Sequence, residues 1–242
     1  MKLLLFCTLA ALTACMSAGK PGPGFAVVEL FTSEGCSSCP PADRLIARLA
    51  KEYGDEPVYI LAYHVDYWDH QGWKDRFSNH AFTERQGRYA EWLRLSTVYT
   101  PQVVVNGVAE NVGSNEAFLR RVIASGLAQH PEGSLTLHAA AGRSAVAVSF
   151  QTTGTFPGAS LVLALVQKDA QTDVKAGENA GRNLSHVQIV RALDTADLHK
   201  TADTLALPAD YTPGGWEVIG FVQRASDGQI LCVARCNIDG EK

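Results

Sequence analysis

The sequence predicts an α/β domain followed by an all-β domain, and three observations carry this prediction. A C-x-x-C pair, Cys36 and Cys39, stands between an apolar strand and the start of a helix. Strand and helix periodicities alternate over residues 25–130, which is typical of a unit built on a parallel sheet. Only strand periodicity remains over residues 131–242. We therefore predict one domain over each of these two ranges.

Residues 1–14 have the character of a secretory signal, because a lysine precedes an apolar stretch too short to span a bilayer. Leu12-Thr13-Ala14-Cys15 resembles the bacterial lipobox, which implies cleavage before Cys15 and a lipid on its sulfur. Cleavage a few residues later, with Cys15 lost, is the alternative. Both alternatives predict a periplasmic protein. In the first, residues 15–24 are a Gly/Pro-rich tether to a membrane lipid anchor.

The composition predicts a globular protein that does not have nucleic acid as its partner. Hydrophobic residues make up 46% of the chain, and the formal net charge is −4 with a pI near 6.0. These values are compatible with an ordinary hydrophobic core. They give the protein no excess of positive charge that would attract a polyanion. We predict no cofactor. Apart from the two N-terminal cysteines, the cysteines form two close pairs, Cys36 with Cys39 and Cys232 with Cys236.

The elements of the first domain are predicted in the order βαβαββα. Phe25–Thr32 is the first strand, and the helix after the C-x-x-C pair begins at Pro40 and Pro41, since the first turn of a helix needs no proline N–H. The apolar stripe of that helix includes Leu45 and Leu49. Four segments follow: a strand covered on both faces at residues 58–65, a helix at 82–95, two strands joined by an Asn-Gly turn at 103–108, and a last helix at 114–129.

The C-x-x-C pair predicts a dithiol that cycles between the thiol and disulfide states. Cys36 lies where unpaired backbone N–H groups and the helix dipole favour a thiolate, and Cys39 lies one turn further on, within bridging distance. Half of a zinc site and a purely structural loop are the alternatives. Zinc needs two more ligands, and no second C-x-x-C or C-x-x-H follows, so the spacing favours redox chemistry.

The order of these elements, with C-x-x-C after the first strand, resembles the thioredoxin fold in its glutaredoxin-like form. Thr100-Pro101 matches the cis-proline segment of that fold, which implies that Thr100 faces the dithiol and pairs its backbone with that of a substrate. Glu29 lies near the position of the buried acid that moves protons for the second cysteine in thioredoxins. Glu29 is, however, one residue away from the position of that acid, and a shift of one residue turns a side chain to the other face of a strand. The alternative is therefore that Glu29 is a partly exposed strand residue.

A longer set of motifs resembles the DUF1223 group of bacterial secreted proteins. These motifs span most of the chain after the signal, and they are highly specific as a set. They lie at residues 29–43, 64–69, 99–102 and 177–182. The resemblance implies a thioredoxin-like domain followed by a β domain, and it carries no assigned substrate.

An aromatic and charged segment, residues 66–77, follows the second strand at the carboxyl edge of the predicted sheet. Open α/β sheets bind ligands at that edge, so Trp68 and Trp73 are candidate substrate-binding residues. The alternative is a small satellite core that folds the segment onto the domain. We predict no metal site from three nearby histidines whose spacing fits no standard pattern, His64, His70 and His80.

The second half of the chain is predicted to be an immunoglobulin-like β-sandwich with a binding or scaffold role. Seven or so short strands are separated by turn residues, among them those at 145–150, 161–166 and 216–223. Residues 177–186 lack periodicity and form a loop, which either faces the dithiol or only satisfies its own backbone.

Cys232 and Cys236 are an unusual pair, because residues four apart on a straight strand lie about 13 Å from each other. A disulfide between them requires a bend or a bulge. A local staple, or two separate thiols, is the simplest interpretation. A second redox pair that relays electrons to Cys36 and Cys39, or a Cu(I) site, is the alternative.

Together these features predict a thiol–disulfide oxidoreductase of the bacterial envelope. Cys36 is the attacking thiolate, Cys39 is the resolving cysteine, and Thr100-Pro101 orients the substrate backbone. The expected partners are cysteine-containing envelope proteins and a redox partner that the sequence does not identify. The opposing prediction is a non-catalytic lipoprotein that binds copper or a membrane partner.

Overall fold

The computed structural model describes residues 24–54 and 56–239, which form three helices and eleven strands. The helices are α1 (Pro40–Glu52), α2 (His80–Trp92) and α3 (Glu116–Leu127). The strands are β1 (Ala26–Thr32), β2 (Val58–His64), β3 (Gln102–Val105), β4 (Ala109–Val112), β5 (Ser134–Ala141), β6 (Ala145–Thr153), β7 (Ala159–Asp173), β8 (Asn183–Ala196), β9 (Ala202–Ala206), β10 (Trp216–Arg224) and β11 (Ile230–Asp239).

The eleven strands of the described residues form a single mixed sheet, in the order β4-β3-β1-β2-β8-β7-β10-β11-β5-β6-β9. The prediction of a thioredoxin-like domain followed by a separate immunoglobulin-like sandwich is therefore wrong. The two halves join where β2 runs parallel to β8, with Ala62 beside Ile189. Strands from the second half thus continue the sheet of the first half.

The physical reason for this continuity is that β7 and β10 are apolar on both faces. On one face, alternate residues of β7 pack in a core made by the second half of the chain, namely Leu161, Leu163 and Leu165. The residues between them pack against Phe31 and Tyr63 of the first half, namely Val162, Ala164 and Val166. Strands of this kind are covered on both sides, whereas a strand of a free-standing sandwich turns one face to water.

The packing of β1 and α1 sets the position of the C-x-x-C motif. The apolar residues Leu45 and Leu49 of α1 pack with Val28 and Leu30 on one face of β1. Phe31, on the opposite face, packs with residues of α2. The C-x-x-C residues therefore lie in the short connection between the carboxyl end of β1 and the amino end of α1.

The N-terminal predictions fall on residues that the structure does not describe. The signal segment 1–14, Cys15 and all of the tether except Gly24 lie outside the described residues. Among the described residues, no helix is both long enough and apolar enough to cross a bilayer.

Candidate dithiol site

Cys36 and Cys39 form a disulfide, with their Cα atoms 5.4 Å apart. Cys39 is the N-cap of α1, and its carbonyl accepts hydrogen bonds from the backbone N–H groups of Ala42 and Asp43, at 2.9 and 3.1 Å. The positive end of the helix dipole thus lies at the pair, which favours a thiolate in the reduced form. Both cysteines are 0% exposed.

The Thr100–Pro101 peptide bond is cis, and this segment lies beside the dithiol. The hydroxyl of Ser38, an exposed residue of the motif, donates to the carbonyl of Thr100 at 3.4 Å. The same hydroxyl oxygen lies 3.4 Å from the Sγ atom of Cys36. Ser38 therefore connects predicted site residues that are far apart in the sequence, and sequence reasoning did not assign it a role.

The two tryptophans of the aromatic segment hold the motif in place. The indole N–H of Trp68 donates to the Thr100 hydroxyl at 2.8 Å, and a Cβ placed on Gly35 would lie only 3.1 Å from the Cβ of Trp68. The indole N–H of Trp73 donates to the Glu34 carboxylate at 2.8 Å. Both rings are half-buried, so these contacts support the satellite-core alternative. Substrate binding by Trp68 and Trp73 stays a prediction.

Glu29 is fully buried, so its alternative placement as a partly exposed strand residue is wrong. Its carboxylate accepts hydrogen bonds from the Arg85 guanidinium and the Tyr89 hydroxyl. Arg85 also donates to Gln223 of β10 at 3.1 Å. Burial alone would lower the pKa of Arg85, but the Glu29 carboxylate holds that pKa well above its ordinary value. This ion pair favours a structural role for Glu29, between α2 and β10.

A buried group of charged side chains lies next to the motif on the other face of β1, and sequence reasoning missed it as a group. His64 Nδ1 lies 2.6 Å from an Asp75 carboxylate oxygen, and that oxygen also accepts the backbone N–H of Glu34 at 2.8 Å. His186 Nε2 lies 3.2 Å from a Glu34 carboxylate oxygen. A cavity of about 10 Å³ is bordered by Asp43, His64 and His186. The group therefore lies directly beneath the backbone of the C-x-x-C connection, at Glu34.

The pKa values of this group follow from burial and pairing. Burial favours the neutral form of His64 and would lower its pKa. The neighbouring Asp75 carboxylate, with a smaller contribution from Asp43, favours the protonated form more strongly, so the pKa of His64 lies above 6.5. Burial likewise opposes the charge of Asp75, and His64 holds the pKa of Asp75 below its ordinary value. The pKa of Asp43 is raised by burial, with a partial offset from His186. The pKa shifts of His64 and Asp75 thus favour the charged form of each, whereas burial favours the protonated form of Asp43.

One local signal pointed to this group. Asp43 lies four residues after Cys39, and residues four apart share one face of a helix. Asp43 therefore lies below the second cysteine on the inner side of α1, where it accepts a hydrogen bond from the Thr32 hydroxyl at 2.9 Å. The contact between Glu34 and His186 left no local signal, because β8 is distant in sequence.

The loop between β7 and β8, residues 174–182, contacts the motif through hydrogen bonds to its backbone, and we call it the cover loop. The Asn179 side chain donates to the carbonyls of Glu34 and Cys36, at 2.8 and 2.9 Å. The backbone N–H of Ser37 donates to the Glu178 carboxylate at 3.0 Å. Hydrogen bonds from the Ser37 side chain and from this N–H lower the pKa of the Glu178 carboxyl. The loop predicted at residues 177–186 is too long, because residues 183–186 belong to β8. Of its two sequence interpretations, the one in which it faces the dithiol is confirmed for residues 178 and 179.

A family model described as "Protein of unknown function (DUF1223)" matches residues 27–223, which include the C-x-x-C motif and the cover loop. The chain belongs to the DUF1223 family. The resemblance read from the sequence motifs is therefore confirmed at the level of the family. A search of curated proteins found no match to this DUF1223 chain.

Two solved structures are similar to this DUF1223 chain over most of its length. Protein AGR_C_4864 from Agrobacterium tumefaciens is 29% identical, with a TM-score of 0.64, and the match covers 90% of this chain and 95% of that one. HBP35 of Porphyromonas gingivalis is 14% identical, with a TM-score of 0.65, and the match covers 91% of this chain and 77% of that one. The likeness to HBP35 concerns the fold alone.

The second cysteine pair of the DUF1223 chain consists of two free thiols, so the staple considered from the sequence is not formed. β11 pairs with β10 without a bulge between Cys232, opposite Val222, and Cys236, opposite Val218. The strand is straight here, which keeps the thiols too far apart to bridge. Burial raises the pKa of Cys232 to about 12 and that of Cys236 to about 11, which disfavours the thiolates a relay needs.

The three histidines considered as metal ligands lie in different surroundings. His64 is buried against Asp75, whereas His70 and His80 are exposed, and His80 Nδ1 lies 3.0 Å from the Asp66 carboxylate. Within residues 24–54 and 56–239, no group of three or more His, Cys, Asp or Glu side chains is arranged to hold a metal ion.

Proposed function

We propose that this DUF1223 protein is a thiol–disulfide oxidoreductase of the bacterial envelope, with the Cys36–Cys39 pair as its working couple. The observation that carries the proposal is the disulfide at the amino end of α1. A helix N-terminus lowers the pKa of a neighbouring thiol, and the thiolate is the reactive form. The Thr100–Pro101 segment supports the proposal, since the Thr100 carbonyl accepts the Ser38 hydroxyl, whose oxygen lies 3.4 Å from the Cys36 Sγ atom.

The proposed reaction has two exchange steps. In the reduced protein, the Cys36 thiolate attacks one sulfur of a substrate disulfide, that S–S bond breaks, and the other substrate sulfur leaves as a thiolate. Cys39 then loses its proton and attacks the Cys36 sulfur of the mixed disulfide. The Cys36–Cys39 bond forms and the second substrate thiolate leaves. Two electrons pass from the dithiol to the substrate, and the reverse sequence oxidises a substrate dithiol.

The proposed partners are cysteine-containing envelope proteins and a redox protein that resets the pair. Thr100 and Pro101 would orient the substrate backbone, and Trp68 would support them through its hydrogen bond to the Thr100 hydroxyl. The direction of electron flow depends on the reduction potential of the pair relative to these partners.

Trapping of substrates tests this function directly. In Cys39→Ala, the mixed disulfide at Cys36 cannot be resolved, so this variant should accumulate covalent adducts with envelope proteins that a reductant releases. Cys36→Ala should trap none. Cys236→Ala is the matched control, because it removes a half-buried thiol distant from the site and leaves both steps intact. Absence of adducts from the Cys39→Ala variant would contradict the proposal.

We also propose that the protein is anchored in the periplasm through a lipid on Cys15. The support is the lipobox-like Leu12-Thr13-Ala14-Cys15 segment after an apolar stretch. Labelled palmitate should enter the wild-type protein, whereas Cys15→Ser should block processing and leave a larger precursor. A wild-type protein that takes up no palmitate and is found free in the periplasm would contradict this localisation.

A non-catalytic binding module is the second candidate function. One observation favours it, since both cysteines are fully buried and offer no exposed surface to a substrate sulfur. The trapping experiment separates the two candidates, because only a working couple yields adducts from Cys39→Ala.

A further inference from the structure

The cover loop is attached to the C-x-x-C motif through groups on both sides of Gly35. The Asn179 side chain is fully buried, and each of its two carbonyl contacts, Glu34 and Cys36, is shorter than 3.0 Å. These contacts fix the backbone on either side of Gly35, the residue directly before Cys36. The bond from Ser37 to the Glu178 carboxylate lies at the exposed rim.

The cover loop is a preformed turn rather than a loose connection. The N–H of Val174 donates to the carbonyl of Arg182 at 2.9 Å, and the N–H of Gly181 donates back to the carbonyl of Val174 at 2.9 Å. Gly177 has a φ of +71°, and a Cβ at this position would lie 3.1 Å from the Cβ of Trp73. The loop therefore holds its own shape and fits closely against the aromatic segment.

Thiol–disulfide exchange requires the attacking sulfur to reach one of the two cysteines. Both cysteines have no exposed surface, while Ser37 and Ser38 between them are exposed. Access therefore requires a local opening, and the described contacts of the cover loop with the motif are few and mostly to backbone atoms. Such an opening does not require the strands on either side of the loop to separate.

We propose that the cover loop gates the Cys36–Cys39 pair, with Asn179 as the positioning residue that holds the gate closed over Cys36. The proposal rests on the proposed function, since it explains how a buried pair meets a substrate. Release of the Asn179 contacts frees the backbone of Cys36 and uncovers its sulfur. A polypeptide substrate can offer its own backbone donors to the same two carbonyls while the gate is open.

The rate at which the oxidised pair is reduced tests the gate without assuming any activity. Dithiothreitol is a suitable probe, because its thiolate attacks one cysteine sulfur, the protein S–S bond breaks, and its second thiolate closes a cyclic disulfide. The protein gains two electrons and becomes the dithiol. Asn179→Ala removes two buried hydrogen bonds that close the gate, so we expect reduction to be roughly tenfold faster. Glu178→Ala should give a smaller increase.

The matched control is Lys175→Ala, which changes an exposed residue of the same loop whose described ion pair is with Asp173. It should leave the rate of reduction unchanged. Thermal unfolding of each oxidised variant separates gating from general loss of stability. If Asn179→Ala does not fold, the exposed Glu178→Ala variant decides the question. Rates equal to wild type in the folded Asn179 and Glu178 variants would overturn the proposal.

The failure of the gate and the failure of the proposed function give different results. A faster reduction by dithiothreitol together with no trapped substrate would support the gate and contradict the oxidoreductase. Unchanged rates in the folded variants together with trapped substrates would support the oxidoreductase and contradict the gate. A cysteine-containing peptide used in place of dithiothreitol should show a larger effect of Asn179→Ala, because a larger probe needs a wider opening.

Discussion

Single residues decide how charge is distributed on the two faces of β1. On the α2 face, Glu29 neutralises the buried Arg85. On the α1 face, next to the dithiol, lie the His64–Asp75 pair and Asp43. Because side chains alternate along a strand, Glu29 and the dithiol-side acids are separated by the sheet itself. Glu29 is thus best understood as a core residue, and the acids near the motif come from other elements.

The Glu29–Arg85 pair gives a prediction about stability. Arg85→Leu leaves a buried carboxylate without its partner, which should lower the free energy of unfolding by about 3–5 kcal/mol. Glu29→Gln combined with Arg85→Leu should recover part of this loss, since no buried charge remains. Urea unfolding of the purified proteins measures both effects.

Arg88→Leu is the matched control for this experiment, because Arg88 is exposed on the same helix. It should change stability by no more than about 0.5 kcal/mol. If Arg85→Leu costs no more than Arg88→Leu, the ion pair does not stabilise the core as described.

At the scale of elements, the local signals in the sequence predicted individual helices and turns correctly. Pro40 and Pro41 begin α1, and the turn after β3 has positive φ at Asn106 and Gly107, as an Asn-Gly turn requires. Neighbouring residues alone determine such features. The pairing of β2 with β8 could not be predicted in this way, because strands distant in sequence leave no shared local pattern.

The error in the fold prediction came from β7 and β10. The run of residues 161–166 does not alternate between apolar and polar residues as a sandwich strand does, because it is apolar throughout and the structure buries it on both faces. Such a run is typical of a central strand with a layer on each side. The sequence therefore contained evidence that the second half needs the first half to cover it.

The shared core gives a prediction about independent folding. Residues 24–130 expressed alone lack the strands that cover one face of β1 and β2, and they lack Gln223, which bonds to the buried Arg85. This fragment should show no cooperative unfolding transition, whereas residues 24–242 should unfold cooperatively. Circular dichroism during thermal unfolding distinguishes them. A cooperative transition in the fragment would mean that the first half is an autonomous domain after all.

At the scale of the whole molecule, the single sheet explains how the site is assembled. The motif cysteines come from the connection between β1 and α1, whereas the cover loop and His186 come from β7, β8 and the turn between them. The local sequence pattern predicted the position of the motif cysteines. Only the tertiary structure shows that the cover loop and His186 lie beside them. The dithiol is thus a site at which the two halves of the chain meet.

The reduction potential of the Cys36–Cys39 pair tests the central claim most directly. Thiol trapping after equilibration in glutathione buffers of defined ratio measures it in the wild-type protein. A working couple predicts a value between roughly −120 and −270 mV, the range of known thiol–disulfide oxidoreductases. A value well below about −300 mV would place the bond among structural disulfides and contradict the account.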